Sequence, residues 1–388
     1  MKIVEVATFY SKYLAEFERK HPCLRQLGYA EHKRALDEDC FAECDFDAKH
    51  LRARGHEVLH IVANYSTLQF KWAAENVARR YVDSDQFAIV SAQIQKCQPE
   101  LLLLRDCFTF PPERVEWLLT KTPSIRAVIS YLGVECDVRQ HVSNKSCLLT
   151  CSKFLVDDWR REGFDAHFVS HAFEGGILNR ISSTSPNPIP LSFVGSCSPN
   201  PHNDRFRWLE SVASAFPEFG LWTDSFSGTP FERLYDGVNS ICLGKFRPWL
   251  AFQRSPLIER LRGCVYGLEM YKVLKSSIVT LNRHIPITKP TAGNMRLFEA
   301  TGIGACLLTD LRPNLNDYFV PDTEVATYST TAECIEKARW LLDHRNAVEE
   351  MGRRAQARTL RQHTYVARAE QLESLMLGCL EAHDGKIL

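Results

Sequence analysis

The chain has 388 residues, 45% of them hydrophobic and 24% charged, which suits a soluble globular protein of about two domains. Lys+Arg and Asp+Glu each number 47, so no net basic field exists to hold nucleic acid or an anionic membrane non-specifically. No apolar run approaches the ~18 residues of a membrane-spanning helix.

The sequence opens Met1-Lys2-Ile3-Val4-Glu5-Val6, directly into a short apolar run with a glutamate inside it. This predicts a first buried strand rather than a secretory signal, and the cytoplasm as the address. The next stretch, Phe9 to Cys44, is rich in aromatics and charges and reads as loops or short helices, fitting acceptor recognition or a structural insertion. Further short apolar runs follow at Glu57–Ala63, Leu101–Leu104, Ala127–Tyr131, Cys147–Thr150 and His167–Ser170. Helix-period segments such as Asp47–Arg54 and Glu113–Leu119 lie between them. Strands alternating with helices imply a parallel sheet covered on both faces.

Arg180 to Pro190 carries three prolines and three serines, the composition of an interdomain linker. The strand pattern then restarts at Leu191–Gly195 and continues at Gly220–Thr223, Ser277–Leu281, Ala305–Thr309 and Glu324–Tyr328. Thr330 and Glu333 form a capping-box pair ahead of a helical pattern. Val366 to Ala382 has helical spacing of Leu372, Leu375, Leu377 and Leu380. Arg353, Arg354, Arg358 and Arg361 read as a solvated helix face. The 14 cysteines show no CxxC pair or zinc spacing. Cys40 with Cys44, and Cys147 with Cys151, would share a face only on a helix, and reduced, small apolar thiols are the expected state.

The segment from Asn282 to Thr309 carries the most chemistry. It reads as a loop, a short helix and a buried strand. Gly293 permits close backbone approach and Asn294 suits an N-cap, so the N–H groups of Gly293, Asn294 and Met295 would favour a phosphate. Arg296 adds a positive fork, Glu299 one turn on can accept from two ribose hydroxyls, and Gly302 would stop the helix. An ordinary capped helix with a solvated Arg and Glu would show the same residues.

Asn294-Met295-Arg296-Leu297-Phe298-Glu299-Ala300-Thr301-Gly302, followed by Gly304-Ala305-Cys306-Leu307-Leu308-Thr309-Asp310, resembles the C-terminal domain of group 1 (family 4-like) glycosyltransferases, most of all the spore-maturation, CgeB-like branch. The resemblance takes in Val265–Tyr271, Leu281-Asn282 with His284, Asn316–Phe319, and His363–Tyr365 with Arg368. Phe193–Ser196 with His202 and Arg205 is similar to that domain's opening strand and loop, and Arg54–Val58 to a helix-to-strand turn of the first domain.

The resemblance implies an α/β fold of GT-B architecture: two Rossmann-like domains facing across a cleft, over 1–180 and 181–365, with 366–388 returning as a helix to the first. It implies that Glu299 holds the donor ribose and that Gly293, Asn294 and Met295 bind the diphosphate. Gly195, Ser196 and Arg205 would approach the diphosphate from the other side, Tyr266 and Gly267 would lie against the base, and Asn282 and His284 belong to the same donor set. Thr291 stands where the family has the first of two acids, so the transferred sugar and the stereochemistry are left open. The expected reaction moves a sugar from a nucleoside-diphosphate sugar to a glycan, lipid-linked or small-molecule acceptor, without metal or cofactor and with room for peripheral membrane association. Arg296 would stabilise the leaving group, and Asp106 or His171 would serve as general base. Asp45-Phe46-Asp47 and Asp83-Ser84-Asp85 match a metal-binding triplet but are common by chance, the first reading as a helix cap. A nicotinamide-binding reading fails because Thr8–Lys12 holds no glycine for the pyrophosphate turn. A sugar-nucleotide epimerase, or a non-catalytic sugar-nucleotide or glycan-binding partner, shares the fold and stays as the alternative.

Overall fold

A computed structural model of the protein describes residues 1–77, 86–143, 146–181, 187–197, 203–225, 254–285 and 291–384. Asp83–Asp85, His202 and part of the proline-rich segment lie outside these residues. The chain forms two compact units, residues 1–170 with 365–388, and residues 171–364.

In the first unit the described strands are β1 (Lys2–Ala7), β2 (Glu57–Val62), β3 (Leu101–Leu104), β4 (Ala127–Tyr131), β5 (Ser146–Thr150) and β6 (Ala166–Phe168). They form one parallel sheet in the order β2-β1-β3-β4-β5-β6. Leu101 to Leu104 are all fully buried, as a central parallel strand covered on both faces requires. The glutamate inside the first strand is explained by its partner. Glu5 Oε1 accepts from Arg105 Nε at 2.8 Å, and Arg105 also pairs with buried Asp47. Asp47 therefore belongs to a buried ion cluster, and Asp45 sits at the N-cap of the helix Phe46–Ala53 without a side-chain capping bond. The helix-cap reading of Asp45-Phe46-Asp47 thus holds for the position of Asp45 and not for a side-chain bond.

The stretch from Phe9 to Cys44 holds two helices, Ser11–Lys20 and Tyr29–Glu38, packed by an aromatic cluster in which Tyr13 stacks on Phe41. Cys40 and Cys44 lie in the turn after them at φ 56° and 20°, so they are not a helical pair. The helix Tyr365–Asp384 belongs to this unit. Ala369, Leu372, Met376 and Leu380 fill a core with Ile3, Leu51, Leu101 and Ile129, whereas Leu377 turns to solvent. Glu373 fastens the helix to Arg54 and, at 2.6 Å, to His56.

In the second unit the described strands are β7 (Ile189–Val194), β8 (Phe219–Trp222), β9 (Leu261–Gly263), β10 (Ser277–Asn282), β11 (Cys306–Asp310) and β12 (Ala326–Tyr328). All are parallel, in the order β12-β11-β10-β7-β8-β9. The unit begins at His171, ahead of the proline-rich segment. The reason is local: the Phe173 N–H donates to His363 O at 2.8 Å, which ties 171–181 to the second unit. Thr330 Oγ1 caps the helix Thr331–Asp343 by accepting from the Glu333 N–H at 3.1 Å, and Glu333 reaches back to the Ser329 N–H. Strand order reverses between β1 and β3 in one sheet and between β7 and β10 in the other. In such sheets ligands bind at the carboxyl edge beside the reversal. Among the described residues no helix is long and apolar enough to cross a membrane.

Candidate functional site

The site lies at the carboxyl edge of the second unit's sheet, where β10 leads through 291–294 into the helix Met295–Gly302. Three side chains clamp that loop. Asn314 holds both polar groups of Ala292, accepting from its N–H at 2.6 Å and donating to its carbonyl at 3.0 Å. Asn282 and Asn294 pair their amides reciprocally at 3.2 and 2.8 Å, and Asn282 also donates to Thr309 Oγ1 at 3.0 Å. His284 is buried between Asp310 and the loop. Asp310 Oδ1 lies 2.7 Å from His284 Nδ1 and accepts from the His284 backbone N–H at 2.9 Å. With Nδ1–H donating to the carboxylate, Nε2 is left to accept from the Gly293 N–H at 3.3 Å. Burial works to raise the Asp310 carboxyl, but the hydrogen bonds from His284, with the Arg312 guanidinium, hold it below its ordinary value.

These contacts change the reading of four residues. The Gly293 N–H is taken by His284 and is not free for a ligand; at φ 142° Gly293 occupies backbone that favours glycine. Asn294 stands at the N-cap but spends its side chain on Asn282, without a side-chain capping bond. Asn282 and His284, expected among donor-binding residues, are the loop's supports. What remains open to a ligand is backbone: the N–H groups of Asn294, Met295 and Arg296 have no acceptor among the described residues.

Arg296 and Glu299 form an ion pair one helical turn long, Nη1 to Oε2 at 2.8 Å, with side chains only 14% and 7% exposed. Arg296 Nη1 also touches Met270 Sδ at 3.0 Å, and its buried Nε has no hydrogen-bond partner. An orphaned guanidinium N–H beside unclaimed helix N–H groups is an arrangement suited to an anion.

Across the strand reversal, Arg205 joins the loops after β7 and β10. Its Nη1 donates to Ser196 O at 3.1 Å and its Nη2 to Arg283 O, while its buried Nε has no partner. Burial pulls this guanidinium down to about 10. Arg205 was expected to approach a diphosphate directly; two of its nitrogens instead hold backbone. Gly195 closes β7 with its N–H on Trp222 O at 3.0 Å, and Ser196 Oγ stands 3.4 Å from Asp224 Oδ1. Tyr266 precedes the helix Gly267–Ser276, with its hydroxyl 3.5 Å from Asp224 Oδ2. Burial, then Cys264, pushes its phenol well up, so it stays a neutral donor. Gly267 takes φ 52° at the first turn. Asp224 and Asn314 carry no spacing signal in the sequence, and Asp310, the last residue of β11, stands in the resembling motif without a role of its own.

Packing sets the position of Glu299. A Cβ on Gly302 would lie 2.2 Å from the Phe173 ring, so the glycine admits that ring. The helix ends at Gly302, as expected, but the turn that terminates it is made by the next two residues. These are Ile303 and Gly304 at φ 83°, with Gly304 N–H to Thr301 O and Ala305 N–H to Ala300 O, both 3.0 Å. Thr359 Oγ1 donates to the buried Thr301 Oγ1 at 2.8 Å, fixing the helix from a neighbour.

The two candidate bases lie in different units. Asp106 follows β3 with both oxygens engaged: Thr8 Oγ1 at 2.6 Å, Thr109 Oγ1 at 2.8 Å and the Phe108 N–H at 3.0 Å. His171 is half-buried at the start of the second unit. Thr291 is half-buried at the head of the clamped loop.

Residues 229–374 match a family model described as glycosyl transferase-like. Comparison with curated proteins finds no match. Sucrose-phosphate synthase from Thermosynechococcus elongatus is similar in structure, at 11% identity and TM-score 0.56, covering 98% of this chain and 99% of that one. Anabaena HepE, solved in complex with UDP-glucose, is similar at 11% identity and TM-score 0.60, covering 97% and 100%. AviGT4, a glycosyltransferase involved in avilamycin A biosynthesis, is similar at 16% identity and TM-score 0.53, covering 87% and 88%. The chain thus has the two-domain GT-B fold of glycosyltransferases and carries, over residues 229–374, a glycosyl transferase-like domain.

Proposed function

We propose that the protein is a metal-independent glycosyltransferase that binds a nucleoside-diphosphate sugar at the carboxyl edge of the second unit. The observation that carries this is the orphaned Arg296 Nε beside the unclaimed N–H groups of 294–296, at the strand reversal. As the glycosidic bond breaks, negative charge grows on the leaving diphosphate, and those donors are already fixed to receive it. Glu299 would accept from the ribose hydroxyls, sharing its carboxylate with Arg296. Tyr266 and Gly267 would flank the base. The complex of HepE with UDP-glucose makes UDP-sugars the first donors to test.

A glycan, lipid-linked or small-molecule acceptor would complete the reaction, with membrane association only peripheral. Asp106, which follows β3, or His171, half-buried at the start of the second unit, would serve as general base. Assignment to the CgeB-like branch rests on the sequence motif alone. Thr291 supports the second reading, an epimerase or a non-catalytic sugar-nucleotide binder, since it offers no carboxylate to the sugar.

The test is calorimetric titration with UDP, GDP and ADP, then UDP-sugars, with and without a chelator. Chelator-insensitive binding with slow donor hydrolysis supports the transferase. Interconversion of the free donor would mean an epimerase; no nucleotide binding would overturn the site.

A further inference from the structure

A pair of thiols in the first unit lies outside the proposed reaction. Cys147 on β5 and Cys379 on the C-terminal helix meet with Sγ atoms 2.7 Å apart. Cys147 also donates to Asp165 Oδ2 at 3.1 Å. A cavity of about 590 Å³ opens onto Cys379, lined by Asp165, His167, Gln371, Ser374 and Gly378. Cys379 itself is 7% exposed, and open space at Gly378, where an added Cβ would meet no neighbour, lies next to it in the chain.

Two chemistries could use such a pair. With Asp165 the thiols form a group able to hold a metal ion. Two thiolates on a tetrahedral ion with bonds of about 2.3 Å sit roughly 3.8 Å apart, much wider than these. Asp165 is exposed, and its other oxygen accepts from His167 Nε2 at 2.7 Å. A direct bond of about 2.05 Å asks for the smaller movement and no third ligand. We propose that Cys147 and Cys379 form a reversible disulfide that staples the C-terminal helix to the sheet of the first unit.

The oxidant would be a small-molecule disulfide such as oxidised glutathione. The Cys379 thiolate, reached through the cavity, attacks one glutathione sulfur and expels the first glutathione thiolate. The Cys147 thiolate then attacks Cys379 Sγ of the mixed disulfide and expels the second. The two thiol protons pass to the two leaving thiolates, so two protein thiols and one oxidised glutathione give one protein disulfide and two reduced glutathiones. Contact with Cys379, then burial and the Asp165 carboxylate, push the Cys147 thiol well up, so its thiolate is scarce and the second step is the slow one. The chain leaves the first unit after Ser170 and returns at Tyr365, so the bond would enclose the whole second unit in a covalent loop.

Full-length protein is incubated with oxidised glutathione, free thiols are alkylated, and peptides are mapped by mass spectrometry. The expected result is a linked Cys147–Cys379 peptide and a melting temperature raised by roughly 5 °C, both reversed by dithiothreitol. Cys379→Ser should abolish both effects. Glutathionylation of exposed Cys23 without the linked peptide would overturn the proposal in wild-type protein, whatever the variant's folding. So would zinc bound one to one that shields both cysteines from alkylation.

Discussion

Glu299→Gln keeps an acceptor oxygen but removes the charge from a side chain that stands 2.8 Å from Arg296 and is 7% exposed. Two consequences follow. Without ligand, Arg296 loses its carboxylate while its Nε already lacks a partner, and breaking a buried pair from one side costs about 3–5 kcal/mol at the upper end. The side chains retain some exposure, so a loss of about 1–3 kcal/mol is expected. With nucleotide, hydrogen bonds from the ribose lose a charged acceptor worth about 1.5–3 kcal/mol, or roughly 10- to 150-fold in Kd. Titration calorimetry with UDP, alongside chemical denaturation, reads the two separately. The variant should bind UDP at least tenfold more weakly and unfold at lower denaturant. Wild-type affinity for UDP in a destabilised variant would show that Glu299 only braces Arg296, and the ribose role would fall.

Gly302→Ala should destabilise the protein by about 1–3 kcal/mol, because its Cβ meets the Phe173 ring at 2.2 Å; Phe173→Leu in the same chain should recover part of the loss in chemical denaturation. Asp310→Asn should cost about 1.5–3 kcal/mol near pH 7 by weakening the clamp on His284. Because the folded Asp310 carboxyl lies below its unfolded value, its contribution is present above the unfolded value and is lost as pH falls through the folded one. The gap between wild type and variant should therefore close in denaturation series run into acid, and a constant gap would refute the charge argument. Burial and then Lys71 hold His32 neutral, with its pKa lowered to about 4, and Tyr65 bonds its Nε2 at 2.8 Å. From the ordinary histidine value down to about 4 the unfolded chain binds the extra proton, so stability should fall over that window, and His32→Gln should flatten the slope.

Much of the architecture was legible because buried parallel strands must be continuous apolar runs; Leu101–Leu104 and Ala127–Tyr131 were read to the residue. β9 was missed because Leu261-Arg262-Gly263 at a sheet edge carries no such run. The helices Ser11–Lys20 and Tyr29–Glu38 were obscured by their charge. The loop and short helix of the candidate site were also legible, since a glycine and an N-cap residue ahead of a helical pattern mark such a turn. The duties inside it were not. His284 and Asn282 looked like ligands, but their partners, Asp310 and Thr309, lie 26 and 27 residues away, and no local spacing reports such bonds. Gly302 does end its helix, but its demand for smallness comes from Phe173, far off in sequence, which no local pattern reports.

This division of labour bears on how the site would act. The loop 292–294 is held by Asn282 and His284 at the end of β10 and by Asn314 after β11, so a diphosphate arriving at 294–296 would meet N–H groups whose ordering cost folding has already met. Arg296 and Glu299 are different, since in the free protein each satisfies the other. A nucleotide that gives phosphate to Arg296 and ribose hydroxyls to Glu299 replaces one interaction with two. A bare anion offers only the first half of that exchange and must compete with Glu299 for the guanidinium. The site should therefore favour whole nucleotides over inorganic pyrophosphate by more than contacts to the base alone can supply. Ribose-containing UDP should outbind its 2′,3′-dideoxy analogue in wild-type protein, and Glu299→Gln should erase most of that preference. If the preference survives the substitution unchanged, the ribose is recognised elsewhere, and the ion pair is only a strut of the helix.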